Sequence, residues 1–361
     1  MKFSLLLILL PVLGFAGSKG EEAEKKISRQ FTTQTNGYLD ISNRYGNIDV
    51  AIGASNQIKI DVVITAEASS VKKAQEAVER INITFEESTN RVAARTEVEN
   101  NTSWSSWFDN SNVSLKINYT VMVPADIFLQ LANKYGNIYV ETTNRDLRID
   151  LDYGDIRLGN INAKLSLDMS YSDGAISGIQ NGDLSLSYSD LEMEDADALQ
   201  VDMKYTDLVM GSADRLKVVS SYSDLQGNDV DEVSYSGKYD DLTFERVKSI
   251  EAESAYSGMQ VSGLSTNGRF EMRYGELNVD NIGMGFTRMD INTSYTGVVL
   301  GFEEAATFSI DAQNNYCDIS HHGLKVTEDI QRAGSSTLKA TKGTGGGMVF
   351  VRMNYGELSI Q

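Results

Sequence analysis

Cysteine, proline and histidine are nearly missing from this chain of 361 residues. Cys317 is the only cysteine, so no internal disulfide can form and packing must hold the fold together. The two prolines, Pro11 and Pro124, stand against 30 glycines, a balance that suits long β structure with tight turns. His321 and His322 are the only histidines, which leaves acid–base catalysis few of its usual groups. Cations are also short: 32 Lys and Arg face 51 Asp and Glu, for a net charge of -19. Nucleic acid and anionic lipid surfaces are repelled by such a field, so neither is expected as a partner.

Past the first residues no apolar run is long enough to span a bilayer, so no transmembrane segment is expected. The opening MKFSLLLILLPVLGFA reads as a signal peptide over 1–16, with Lys2 before an apolar run and small residues at Gly14 and Ala16. Export to the periplasm, outer surface or medium follows as the expected location. Residues 17–27 are expected to be a disordered mature N-terminus.

What the chain has in abundance is one repeated tyrosine. Tyr45, Tyr135, Tyr153, Tyr171, Tyr188, Tyr205, Tyr222, Tyr239, Tyr256, Tyr274, Tyr295, Tyr316 and Tyr355 each precede a small or polar residue, then Asp, Asn, Glu or Gly, then usually an aliphatic one. From Tyr153 to Tyr274 the interval is 17 or 18 residues, which marks a repeat architecture. Leu199, Val201 and Met203 alternate with polar residues, the period of a half-buried strand, and Leu208 and Met210 resume the alternation in shifted phase. Counting tyrosine as apolar places the slip just after it, which makes each tyrosine the last inward residue before a corner. A third inward point follows eight residues after each tyrosine, as at Ile161, Ala196, Val230 and Ile282.

Such units cannot bury their own apolar side, and stacking them in register buries a continuous core. The expected fold is therefore all-β, a right-handed parallel β-solenoid of 17–18-residue coils with about 10–12 rungs. Val71, Ala74, Val78 and Ile81 lie at helical spacing and predict one amphipathic helix. Residues 28–124 then form an αβ section that caps the solenoid, with coils over 125–361. The interval from Tyr316 to Tyr355 reads as two coils joined by a flexible loop at Lys342–Gly347.

Four constellations invite chemistry. Tyr153, Tyr171, Tyr188, Tyr205, Tyr222, Tyr239, Tyr256 and Tyr274 form a structural ladder that stacks inside the core. Asp190, Asp207 and Asp224, each two residues after its tyrosine, cap corners by accepting backbone N–H groups or, in the sharper reading, hold Ca²⁺ between coils. Trp104, Trp107 and Phe108 in an Asn/Ser-rich stretch are the candidate partner contact. Cys317 with His321 suggests a nucleophile and base, but no orienting partner can be placed, so no catalytic residues are assigned and no cofactor is required.

Val121-Met122-Val123-Pro124 and the Gly-Asn/Asp-Ile steps at 46–48, 136–138 and 154–156 resemble the bacterial putative-adhesin family of β-solenoid domains, largely of unknown function. The resemblance runs over about residues 30–361 and implies an exported, adhesin-like role; its motifs are turn positions and transfer no catalytic residue. The expected function is a non-catalytic adhesin-like or cell-envelope scaffold that binds a protein or glycan there. The alternatives are a carbohydrate-active β-helix enzyme of the lyase or hydrolase type, or a protein that senses envelope stress through partners.

Overall fold

The computed structural model describes residues 20–33, 36–53, 56–98 and 113–361. The signal peptide and the stretch with Trp104, Trp107 and Phe108 lie outside the described residues. The fold is a parallel β-solenoid of about ten turns with one short helix. The chain divides into two compact units, Met1–Ile179 and Gln180–Gln361.

In the first unit the strand Tyr38–Arg44 pairs in parallel with both Arg91–Val98 and Phe128–Lys134, and Ile48–Gly53 pairs with Ser114–Pro124 and Ile138–Val140. Residues 38–53 are thus a true coil, in register with 128–140, rather than part of a separate αβ section. The reason is in their sequence: Leu39, Ile41, Ile48 and Val50 repeat the inward pattern of Leu129, Leu131, Ile138 and Val140, and all eight are buried. The strand Glu21–Thr32 pairs antiparallel with Gln57–Ala68, starting at Glu21 opposite Ala68. Residues 21–27 are therefore ordered strand, a correction to the disorder expected there. Their polar composition hides it, because pairing satisfies the backbone while Ala23 and Phe31 supply the buried contacts.

The helix forms over Val71–Glu79. Ser70 caps it, its Oγ accepting from Lys73 N at 3.4 Å, and Ala74, Ala77 and Val78 are its buried face.

The second unit shows the repeat at its most regular. Strands Asp190–Lys204, Asp207–Ser221, Asp224–Lys238 and Asp241–Ala255 pair in parallel, each residue opposite its equivalent 17 positions on. Only the tyrosine and the residue after it fall outside strand structure in each coil. The three predicted inward columns are buried, including Ala196, Ala213, Val230 and Val247. Each Val, Leu, Ile or Met of these columns contributes roughly 1.5–3 kcal/mol when fully buried, and stacking supplies that burial on both sides.

The far end of this unit departs from sequence order. The strand Gly347–Ile360 lies between Arg288–Phe302 and Phe308–His321, parallel to both. Beyond Phe308–His321 the chain adds an antiparallel hairpin, Lys325–Arg332 with Ser335–Lys342. The glycine segment after Lys342 carries the chain across the start of Phe308–His321, from one of its edges to the other. Gly343, Gly345 and Gly346 all have positive φ there, and a side chain on Gly346 would strike the Thr307 backbone. It is a tight strap, where a flexible loop was expected.

Candidate functional site

The repeated tyrosine does not point inward. All thirteen adopt the left-handed backbone conformation, with φ between 52° and 66°. From Tyr135 to Tyr355 their exposure runs from 41% to 65%. The alternation breaks two residues earlier than expected: Met203 is buried, Lys204 and Tyr205 both face out, and Thr206 turns back in. A left-handed residue rotates the chain at the corner, and counting tyrosine as apolar concealed which residue turned.

The stacking expected of the ladder is present at the surface. In the first unit Tyr45, Tyr135, Tyr153 and Tyr171 follow one another at centroid spacings of 5.5, 5.2 and 5.0 Å. In the second, the rings from Tyr188 to Tyr295 repeat every 4.7–5.1 Å. Tyr355 then sits between Tyr295 and Tyr316, at 4.8 and 5.0 Å. Ring faces are spent on one another, so water meets ring edges and hydroxyls. Gly334 of the terminal hairpin lies against the last ring: a side chain there would meet Tyr316 Cε1 at 2.8 Å, and Gly334 O accepts from Tyr316 N at 3.0 Å.

Where a Ser or Thr follows the tyrosine, its hydroxyl does the capping that was expected of the aspartates. Thr206 Oγ1 donates to Lys204 O at 3.1 Å and Ser223 Oγ to Ser221 O at 3.1 Å, spanning the tyrosine. Ser223 Oγ also accepts from Thr206 N at 3.1 Å, and Ser257 Oγ accepts from Asp240 N at 3.2 Å, which links successive coils. These hydroxyls are buried and reach the neighbouring N–H directly. Asp190, Asp207 and Asp224 instead begin their strands in register, facing out. The carboxylates of Asp207 and Asp224 make no hydrogen bond among the described residues. Where asparagine holds that position the predicted cap forms, as in Asn137 N to Asn47 Oδ1 at 3.1 Å and Asp155 N to Asn137 Oδ1 at 2.9 Å.

One rung breaks the hydroxyl column. Asp240 takes the serine position and is buried; its Oδ1 accepts from Ser223 N at 2.9 Å and its Oδ2 from Tyr235 Oη at 2.5 Å. Burial pushes the Asp240 carboxyl above its ordinary range and raises the Tyr235 phenol as well. Gly237 makes the arrangement possible, because any side chain there would meet Tyr235 Oη and Asp240 Oδ2. The sequence carried this signal, as an aspartate in a serine column beside an unusual tyrosine and glycine.

Cys317 and His321 do not form a catalytic pair. Four residues along a strand put them about 13 Å apart. The thiol donates to Asn315 O at 3.2 Å, and burial raises its pKa, the opposite of activation. Both line a groove of about 350 Å³ under the terminal hairpin, with Asp329 and Arg332. Among the described residues no three ligating side chains come close enough to hold a metal ion.

The outward position just before each tyrosine was not anticipated as a site. In the second unit it runs Lys204, Ser221, Lys238, Ala255, Arg273, Ser294, each directly opposite the next. Lys204 Nζ lies 5.3 Å from the Tyr205 ring. In the first unit the matching Lys134 is already paired with Asp152, at 3.0 Å.

This corner geometry, a left-handed residue closing each parallel coil, coincides with a family match over residues 38–361. The chain belongs to the Toastrack DUF4097 family. The match takes in the coil at 38–53 together with those that follow 128, which strand pairing joins in this chain. Three solved structures are similar in fold. A putative adhesin from Bacteroides fragilis is 12% identical, with 69% of this chain and 97% of that one covered and a TM-score of 0.33. A putative adhesin from Parabacteroides merdae is 9% identical, with coverages of 77% and 96% and a TM-score of 0.31. A putative cell adhesion protein from Clostridium sporogenes is 8% identical, with coverages of 93% and 98% and a TM-score of 0.22. Likeness at this level carries no functional argument for the Toastrack chain. A search of the curated proteins finds no match. No helix among the described residues is long and apolar enough to cross a membrane.

Proposed function

We propose that this Toastrack protein is an exported, non-catalytic binding scaffold of the cell envelope, adhesin-like in role, whose tyrosine stripe is the contact face. The observation behind the reading is energetic. A left-handed backbone costs an ordinary residue about 1–2 kcal/mol, while stacking returns about 0.5–1.5 kcal/mol per ring pair. Glycine would close the same corner without strain, yet tyrosine occupies it thirteen times, with the residue exposed from Tyr135 to Tyr355. Stability alone does not favour that choice; an exposed, rigid row of phenols does something at the surface. Such rows suit recognition, since aromatic side chains present large area with little conformational freedom to lose.

The test compares the chain with a variant in which Tyr188, Tyr205, Tyr222 and Tyr239 are glycine, after circular dichroism has shown both folded. Labelled protein is mixed with washed cell envelopes and the bound fraction measured. Loss of binding in the variant is expected; equal binding would remove the stripe as the contact face. Export is checked by sequencing the N-terminus of the protein recovered from the producing cell, which is expected to begin at Gly17.

A further inference from the structure

In the second unit the cations beside the tyrosines are left without an ion pair in a chain rich in acids. Lys204, Lys238 and Arg273 form no ion pair among the described residues, although carboxylates outnumber Lys and Arg by 51 to 32. Elsewhere in the same unit some cations find acids, as in Arg246 with Asp229, Lys248 with Asp231, and Arg269 with Glu271, while others, such as Lys217, do not among the described residues. These three cations share one column and recur on every second rung, a spacing of about 9.6 Å. Between them Ser221 and Ala255 are small, so space opens beside Tyr222 and Tyr256.

The surrounding charges restrict what can lie there. Asp202 and Glu271 face out two residues before Lys204 and Arg273, and Asp207, Asp224 and Asp241 flank the other side of the rings. A polymer charged at every step would meet these carboxylates; duplex DNA, with a charge about every 1.7 Å, is such a polymer. A chain with one anion per two rungs, and uncharged hydroxyl-bearing groups between, meets a cation at each anion and phenol edges at each gap.

We propose that the column from Lys204 to Arg273 binds an acidic glycan lying along the tyrosine ladder, with one carboxylate for every two sugar rings. The proposal deepens the binding reading above and rests on it. Each carboxylate pairs with Lys204, Lys238 or Arg273, and the intervening sugars hydrogen-bond to tyrosine hydroxyls. Densely sulfated chains are disfavoured by the flanking aspartates.

The probe is a hyaluronan hexasaccharide, which carries three carboxylates on alternate sugars. Calorimetric titration at low salt compares the full chain with the variant K204S/K238S/R273S. Serine already occupies this column at Ser221 and Ser294, so the variant keeps the fold. Binding is expected in the parent, weaker by at least about tenfold in the variant, with a shallower salt dependence. Equal affinity in the variant, tighter binding of heparin than of hyaluronan, or equal binding of a neutral chitin hexasaccharide would each overturn the proposal. If no glycan binds but the four-glycine variant still loses envelope binding, the glycan assignment fails and the contact face stands. If neither experiment shows binding, both fail.

Discussion

A tyrosine held at φ near +57°, as Tyr222 is, has two opposing effects on its own coil. The ring stacks on Tyr205 and Tyr239 at 5.1 and 4.7 Å, while the backbone sits where side chains crowd the following carbonyl. The two can be separated. Y222S removes the ring and keeps the strain; Y222G removes both. In urea unfolding Y222S is expected to be less stable than the parent and about 1 kcal/mol less stable than Y222G, which relieves the strain as it loses the ring. Equal stability of the two would mean that the corner is not strained. Because the rings are half exposed, the loss per tyrosine is smaller than a core ladder would give. Alternation could not have revealed this: placing the slip before or after Tyr205 fits Val201, Met203, Leu208 and Met210 equally well, and only the buried Thr206 decides it.

At the scale of one rung, the Tyr235–Gly237–Asp240 arrangement replaces the Val218–Ser220–Ser223 set of the coil before it. The substitution Y235V/G237S/D240S restores that set. The Asp240 carboxyl titrates above its ordinary value in the folded chain, so the fold binds its proton more tightly than the unfolded chain does. Its contribution is therefore most favourable at low pH and is lost as pH rises through the folded pKa. The melting temperature of the triple variant is expected to exceed the parent's at pH 7, with the gain shrinking toward pH 4. A gain that is constant across that range would place the effect elsewhere. The strap offers a second contrast. Gly345 has open space around it whereas Gly346 lies against Thr307, so G346A is expected to lower the melting temperature well below that of G345A. Similar losses would mean that only backbone strain matters. The glycine run was visible in the sequence; its path was not, because near-identical coils do not say which of them a strand will lie beside.

Across the molecule the repeat made the solenoid, its inward columns and the helix legible, since all three depend on periodic burial. The site was harder to read, because outward columns obey no periodicity and the alternation at Lys204, Ser221, Lys238, Ala255 and Arg273 means nothing until parallel register brings those residues side by side. The acid excess also has a cost. Asp207, Asp224 and Asp241 stack at about one strand spacing, where each neighbour repels by up to ~1 kcal/mol in water. D224N is expected to raise the melting temperature at low salt, with a gain that fades as salt approaches about 1 M and the screening length falls to about 3 Å. A gain independent of salt would assign the effect to something other than repulsion.

The strand Gly347–Ile360, lodged between Arg288–Phe302 and Phe308–His321, separates the order of synthesis from the order of assembly. A solenoid can ordinarily grow by laying each new coil on the last as it leaves the ribosome or a membrane pore. Here two coils made earlier must stay apart until a later segment enters between them. This end of the protein cannot finish folding one coil at a time in the order of its synthesis.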